Sequence, residues 1–555
     1  MKNETSKLRN TENRIKIVQE AIELSMKLYS ITNNNYYFDL AFEYSENAKS
    51  FVLLSEIRST EAIKFADLPQ SVLNRESRLA NEISGYEEMI FEANSLDNID
   101  TTLINNLNAK LFELKDQYNN LQDSIELNFP KYFDLKYKTS FISPKEVQRR
   151  LERKEALVEY VLSDSILTTF VIDKENINVL TSTVGSDFSD KCLAYFSLLQ
   201  NQDFNNNVHQ TYKNYVTMAR LFYKTLVAPV LEITDSREIT FIPDGAIMYL
   251  PFESFLSEEA DPEHINYKDL PYLIYDVSVG YSYSSTLLFS ERIRTQLPEK
   301  KVLAFAPSYD NLLDRSVPLA WNRQANPDLL MPLPGAREEV SYISRTVPSD
   351  VYFDSLATEG TFKALSSNYS ILHLAMHTIM DDENPMYSKL AFTRNFNDTT
   401  QDNDLFTYEI YNMKLNADMV VLSSCSSGFG KMQKGEGMMS MARGFIYAGC
   451  PSIVMTLWQV SDRSSADLMS GFYKNLKKGK SKKNSLRQSK IDYIQSSDKL
   501  KSNPYFWSAF LMVGDNSALY EPSPVKILII VLLAFILLVA IFGYRKRLLK
   551  MLKRK

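Results

Sequence analysis

Short, nearly unbroken apolar runs recur from residue 158 onward, and they constrain the fold more than any other feature of the chain. Val158–Leu162 and Leu167–Ile172 come first, followed by Ile239–Ile242, Val302–Ala306, Ile371–Met376, Met419–Ser424 and Ile453–Trp458. Helical stretches such as Tyr212–Val227 separate most of them. A strand that is apolar at consecutive positions has no face for water, so both faces must be covered. Strands of that kind alternating with helices predict an α/β domain with a mostly parallel sheet flanked by helices. Ligands of such sheets sit at the carboxyl ends of the strands.

Two reactive residues stand at those ends. The run ILHLAM leads directly into His377, and MVVLSS leads directly into Cys425, which is followed by Ser426, Ser427 and Gly428. If the two strands are neighbours, His377 and Cys425 face each other as a base–nucleophile dyad. Backbone N–H groups of Cys425 and Thr378 would then receive the oxyanion. The competing reading is packing, because a free cysteine is among the most buried residue types. Cys450 and Cys192 are read that way, as core residues. His373 lies four residues before His377 on the same strand, which points it into a packed face and leaves no metal pair. Asp381, Glu436 and Asp462 lie in loops near the strand ends. Each is either part of a pocket for a basic side chain or a helix-cap acid.

Composition removes several classes. Three cysteines among 555 residues build no disulfide framework, and four histidines with no Cys-x-x-Cys give little material for zinc. No cofactor motif is present; the Gly435–Gly437 segment lacks phosphate-loop spacing. The net charge is −6, but residues 545–555 and Lys526 are strongly basic, which leaves the body at about −14. Nucleic-acid binding by the body is not expected.

Residues 525–544 read VKILIIVLLAFILLVAIFGY, about the length that spans a hydrocarbon core. With the basic tail of residues 545–555 behind it, this run predicts a single-pass membrane helix at the C-terminus. The tail is expected in the cytoplasm. The N-terminus has no apolar signal region, so the side of the soluble body stays open. A second basic stretch, Lys474–Lys490, reads as a solvated loop or, alternatively, as a contact with an anionic membrane surface.

The first 140 residues are helical in pattern. Ile15, Val18, Ile22 and Tyr29, then the run Tyr37–Ile57, suggest an amphipathic pair like one tetratricopeptide-type unit over residues 1–60. Ile104, Leu107, Leu111, Leu114, Tyr118, Leu121 and Ile125 keep heptad spacing, so residues 61–140 read as a helical hairpin. These helices are either a partner-binding surface or a packing extension of the sheet domain. Ser143-Pro144 starts a short new helix, with Ser as cap.

Several blocks then occur in a recognisable order: Ile242-Pro243-Asp244-Gly245, Leu250-Pro251-Phe252-Glu253, Leu333-Pro334-Gly335-Ala336-Arg337-Glu338-Glu339, ILHLAMH, LSSCSSGFG and Asn503-Pro504-Tyr505-Phe506. Together they resemble the CHAT domain, a caspase-like (clan CD) cysteine peptidase family often fused to tetratricopeptide repeats. The resemblance implies a CHAT domain over residues 141–518, with Cys425 as nucleophile and His377 as catalytic histidine. It departs from the family after the histidine, where Thr378 replaces the usual glycine. The function it implies is a cysteine endopeptidase acting on a protein or peptide substrate, regulated by its helical region or by a protein partner; residues 525–544 would make it membrane-anchored. The alternatives are a non-catalytic scaffold of the same fold and a cysteine-dependent transferase. No cofactor or metal is implied.

Overall fold

The computed structural model describes residues 2–49, 69–94, 101–129, 141–200, 207–290, 298–309, 330–381, 385–394, 402–423, 431–433, 437–439 and 441–520. Its strands are β1 (Glu155–Leu162), β2 (Ile166–Asp173), β3 (Ile177–Thr183), β4 (Glu238–Ile242), β5 (Ser278–Tyr281), β6 (Glu299–Ala306), β7 (Ser349–Phe353), β8 (Tyr369–Leu374), β9 (Thr378–Ile379), β10 (Lys389–Ala391), β11 (Asp404–Phe406), β12 (Met419–Leu422), β13 (Lys431–Gln433), β14 (Gly437–Met439), β15 (Ser452–Thr456) and β16 (Phe510–Gly514). Eleven of them form one sheet in the order β3-β2-β1-β4-β5-β16-β15-β12-β8-β6-β7.

That sheet has two directions. β1, β4, β5 and β16 run parallel to one another, and so do β15, β12, β8, β6 and β7. The antiparallel pair β15–β16 joins the two sets. The expected mostly parallel sheet is therefore present. Of the strands missed from the sequence, β5 and β7 are short, β7 carries Ser349 and Asp350 within a half-buried pattern, and β3 is half-buried to exposed along its length.

The helices that cover the sheet or extend from it include α1 (Lys2–Thr32), α2 (Asn35–Ala48), α3 (Gln70–Asn94), α4 (Thr101–Asn128), α5 (Pro144–Arg150), α6 (Phe188–Gln200), α7 (Val208–Phe222), α8 (Pro334–Thr346), α9 (Asp462–Leu476) and α10 (Lys482–Ser496). Period-two alternation along β1 shows how the layers form. Leu157 and Val161 point toward α1 and α2, where Ile22, Met26, Phe38 and Phe42 cover them. Ala156, Val158 and Tyr160 point the other way, toward Cys192, Tyr195, Phe196 and Phe222 on α6 and α7. α3 and α4 pack on each other through Leu79, Leu114, Leu121 and Ile125. Ser143 caps α5, its hydroxyl accepting from the Glu146 N–H.

Two expectations need correction. Among the described residues no helix is long and apolar enough to cross a membrane, so the single-pass membrane placement is withdrawn. The runs on which it rested, 525–544 and 545–555, lie outside the described residues. The basic stretch Lys474–Lys490 is not a solvated loop. Most of its second half lies in α10, where Lys482, Lys483 and Lys490 are fully buried. Their ammonium groups meet Asp515 at 2.6 Å, Glu238 at 3.8 Å and Glu253 at 2.8 Å. A run of like charge reads as solvated only because its acidic partners are distant in sequence.

Candidate active site at the strand tips

The carboxyl ends of β6, β8, β12 and β15 meet at one edge of the sheet. β8 and β12 are adjacent and parallel, with Leu374 opposite Leu422. His377 stands three residues after the first of these and Cys425 three after the second. Ser424–Gly430, and with it Cys425, lies outside the described residues, as does Glu436.

His377 is held from three sides. Its backbone N–H donates to the Tyr309 hydroxyl at 3.2 Å, and the two rings lie 4.8 Å apart, centre to centre. Tyr309 donates in turn to the Ala391 carbonyl at 2.7 Å. The His377 carbonyl accepts from the Ala391 N–H at 3.0 Å. On the ring, Nε2 lies 2.7 Å from the Met331 carbonyl. A carbonyl only accepts, so Nε2 carries the proton, and in the neutral ring Nδ1 keeps the lone pair. Burial lowers the His377 pKa; the Met331 hydrogen bond and the Asp462 charge oppose that shift without cancelling it. The ring is therefore neutral near pH 7, as a general base requires.

Asp462 begins α9, but Ser461 is the cap, its hydroxyl accepting from the Ser464 N–H. This corrects the expectation of a capping role for Asp462. Burial raises the Asp462 pKa, opposed by the His377 charge and by a hydrogen bond from the Gly335 N–H. A Cβ placed on Gly335 would lie 2.4 Å from the Asp462 Cβ, so only glycine lets α8 and α9 approach this closely.

Behind the strand tips lies a buried polar network. The Ser423 hydroxyl donates to Glu339 Oε2 at 2.9 Å, and Glu339 Oε1 lies 2.8 Å from His373 Nε2. His373 Nδ1 lies 3.1 Å from the Tyr473 hydroxyl. His373 is thus packed, as its strand position predicts, and it ties β8 to α8 and α9. Glu339 shares the buried side of α8 with Ala336, Val340 and Ile343. An acid on an otherwise apolar helix face was the available signal for it. Tyr309 and Met331 carried none.

Leu333, Glu339, Met376, Ser423, Val460 and Asp462 are among the residues lining a cavity of about 30 Å³ at this edge. That volume is enough for a water molecule. Asp381 does not line it; its backbone N–H donates to the Ser388 hydroxyl at 3.0 Å, beyond β9. Thr378 opens β9, opposite Leu390. Of the acids singled out from the sequence, the structure brings Asp462 to His377. Cys450 and Cys192 are buried in the core, and burial pushes the Cys192 thiol up to about 12. Among the described residues no group of His, Cys, Asp and Glu is arranged to hold a metal.

The CHAT domain profile matches residues 216–515, more than half of the chain. The chain belongs to the CHAT domain family. Tetratricopeptide repeat protein 28 of Mus musculus is 25% identical over 222 residues, covering 35% of this chain and 9% of that protein. The Homo sapiens protein of the same name is 24% identical over 222 residues, with the same coverage of 35% and 9%. The CHAT chain thus spans a small part of the length of these curated relatives. Among solved structures, the Saccharomyces cerevisiae separase-securin complex at 2.6 Å gives a TM-score of 0.39 at 10% identity, covering 91% of this chain and 40% of that chain. The same complex at 3.0 Å gives 0.38 at 10% identity, covering 78% and 37%.

Proposed function

We propose that this CHAT domain is a caspase-like cysteine endopeptidase, with Cys425 as nucleophile and His377 as base. The observation that carries the reading is the Leu374–Leu422 register between two parallel strands, from which both residues follow at equal distance. His377 Nδ1 takes the thiol proton, and the thiolate attacks the peptide carbonyl. Backbone N–H groups of Cys425 and Thr378 receive the oxyanion. The same Nδ1 then delivers its proton to the leaving amine, and water hydrolyses the thioester with His377 again as base. Asp462 favours the protonated imidazole formed midway.

Asp462, which lines the cavity beside His377, supplies the negative charge of a pocket for a basic residue before the scissile bond. The helical region α1–α4 is the surface on which a regulatory protein acts. Treating the full chain with a positively charged and a neutral peptidyl acyloxymethyl ketone, then mapping adducts by mass spectrometry, tests this. Adducts at Cys425, lost in His377→Ala and favouring the charged probe, support the reading. A folded sample that leaves Cys425 unlabelled by both probes would favour a non-catalytic interaction module.

A further inference from the structure

We propose that α1 is a self-association surface and pairs, antiparallel, with α1 of a second copy of this chain. The helix has two apolar faces. Ile22 and Met26 are buried against α2 and the sheet. On the other side, Ile17, Leu24 and Ile31 are 69%, 59% and 80% exposed. With the half-buried Ala21 and Leu28 between them, they form a stripe at 17, 21, 24, 28 and 31. Steps of four, three, four and three residues are the spacing at which one helix seats its side chains into the gaps of another. α1 also meets α3, yet these three side chains stay exposed. Exposed apolar residues scattered singly need no explanation, but a regular stripe does.

The charges beside the stripe choose the partner and its direction. Glu20 and Lys27 flank it on one side, seven residues apart and opposite in sign. In a parallel pair these positions would face Ser25 and Thr32 of the second helix, and no charges would meet. In an antiparallel pair with Ala21 against Leu24 and Ile17 against Leu28, Glu20 of each copy faces Lys27 of the other. The two-fold axis makes this contact twice. A single sequence thus carries both halves of the complementarity, which is why the occupant is a second copy rather than an unrelated helix.

Sedimentation equilibrium of the full chain across the micromolar range tests the proposal. The expected result is a monomer–dimer equilibrium abolished by Leu24→Glu, an exposed position where the substitution leaves the fold intact. Lys27→Glu should weaken association by about tenfold, since it sets like charges face to face. The double reversal Glu20→Lys/Lys27→Glu should restore it. A wild-type chain that stays monomeric overturns the proposal, as does association that Leu24→Glu leaves unchanged. A double reversal no better than Lys27→Glu overturns the antiparallel arrangement.

Discussion

Glu46 gives the clearest energetic test of how the helical region is attached. It sits on α2 and is fully buried where that helix meets the sheet. Its two carboxyl oxygens accept from the Ser285 N–H at 2.8 Å and the Thr286 N–H at 2.6 Å. Beside it, Glu159 of β1 is met by the Lys49 ammonium at 3.0 Å, the Ser45 hydroxyl and the Ser285 hydroxyl at 2.9 Å. Burial favours the neutral form of both acids. For Glu159, Lys49 and the hydrogen bonds outweigh burial and hold the carboxyl below its ordinary range. For Glu46, burial is reinforced by the Glu159 charge, and the pKa rises from 4.5 to about 8. One acid is charged and paired with the lysine, and the other keeps its proton.

The sign of the pH dependence follows. Between pH 4.5 and about 8 the folded state holds a proton on Glu46 that the unfolded state has lost. The stabilisation is full below that window, shrinks by about 1.4 kcal/mol per pH unit across it, and is gone above it. Asp244, also raised by burial and facing Lys49 and Glu159, adds to the same trend. The perturbation is Glu46→Gln, which is neutral at every pH. Its amide has one acceptor for two N–H donors, so it should cost about 1–3 kcal/mol at pH 6. The gap to wild type should close as pH rises, because only wild type loses stability through Glu46. Hydrogen exchange of the α2 amides, corrected for intrinsic rates, reads the opening free energy at each pH. Asp244 is common to both proteins and cancels in the difference. Equal pH slopes in wild type and Glu46→Gln would falsify the assignment of the proton to Glu46.

Three further outcomes are expected. Lys490→Ala leaves Glu253 buried with only the Tyr281 hydroxyl, at 2.5 Å, and should cost about 3–5 kcal/mol in denaturant titrations; a cost within about 0.5 kcal/mol would mean the lysine is solvated after all. Gly335→Ala forces a methyl group against Asp462 and should destabilise by about 1–3 kcal/mol while slowing alkylation of Cys425, measured by denaturant midpoint and by mass spectrometry. Asp462→Asn removes a charge that holds the His377 pKa up, so the acid limb of the pH profile for Cys425 alkylation should move to lower pH; an unmoved or raised limb would show that Asp462 does not act on the base.

Apolar runs proved legible because their burial is a local property. Val158–Leu162, Val302–Ala306 and Met419–Ser424 each announce a two-sided strand, and β1, β6 and β12 lie there. Two strands with a reactive residue just beyond each also announce themselves, though nothing local says that they pair. What stayed hidden is polar. Glu159 is an acid in the middle of a buried strand, and its partners Ser45 and Ser285 lie 114 and 126 residues away. Glu253 and Lys490 are separated by 237 residues. Local pattern assigns an isolated charge to water by default, and only the tertiary fold reveals its counter-charge. The same limit made Lys474–Lys490 look like a surface.

The placement of these hidden pairs separates attachment from chemistry. Glu46, Lys49 and Glu159 lie where α2 crosses β1, on the β1–β4–β5–β16 side of the sheet. His377, Asp462, Glu339 and His373 lie on the β15–β12–β8–β6 side, whose strands run the opposite way. Among the described strands only β15–β16 joins the two sets, through five residue pairs from Ser452–Gly514 to Thr456–Phe510. A force or charge change at α2 that alters Cys425 must therefore pass through that strand pair or through the helices that pack across it. α10 is one of them: it contacts β5 and β16 of the first set, packs along α9, whose first residue is Asp462, and sends Lys490 to Glu253 and Lys482 to Asp515. If the helical region regulates the strand-tip site, Lys482→Ala should uncouple the Glu46 protonation state from the rate of Cys425 alkylation while leaving each measurable alone. Coupling that survives Lys482→Ala unchanged would remove α10 from the route.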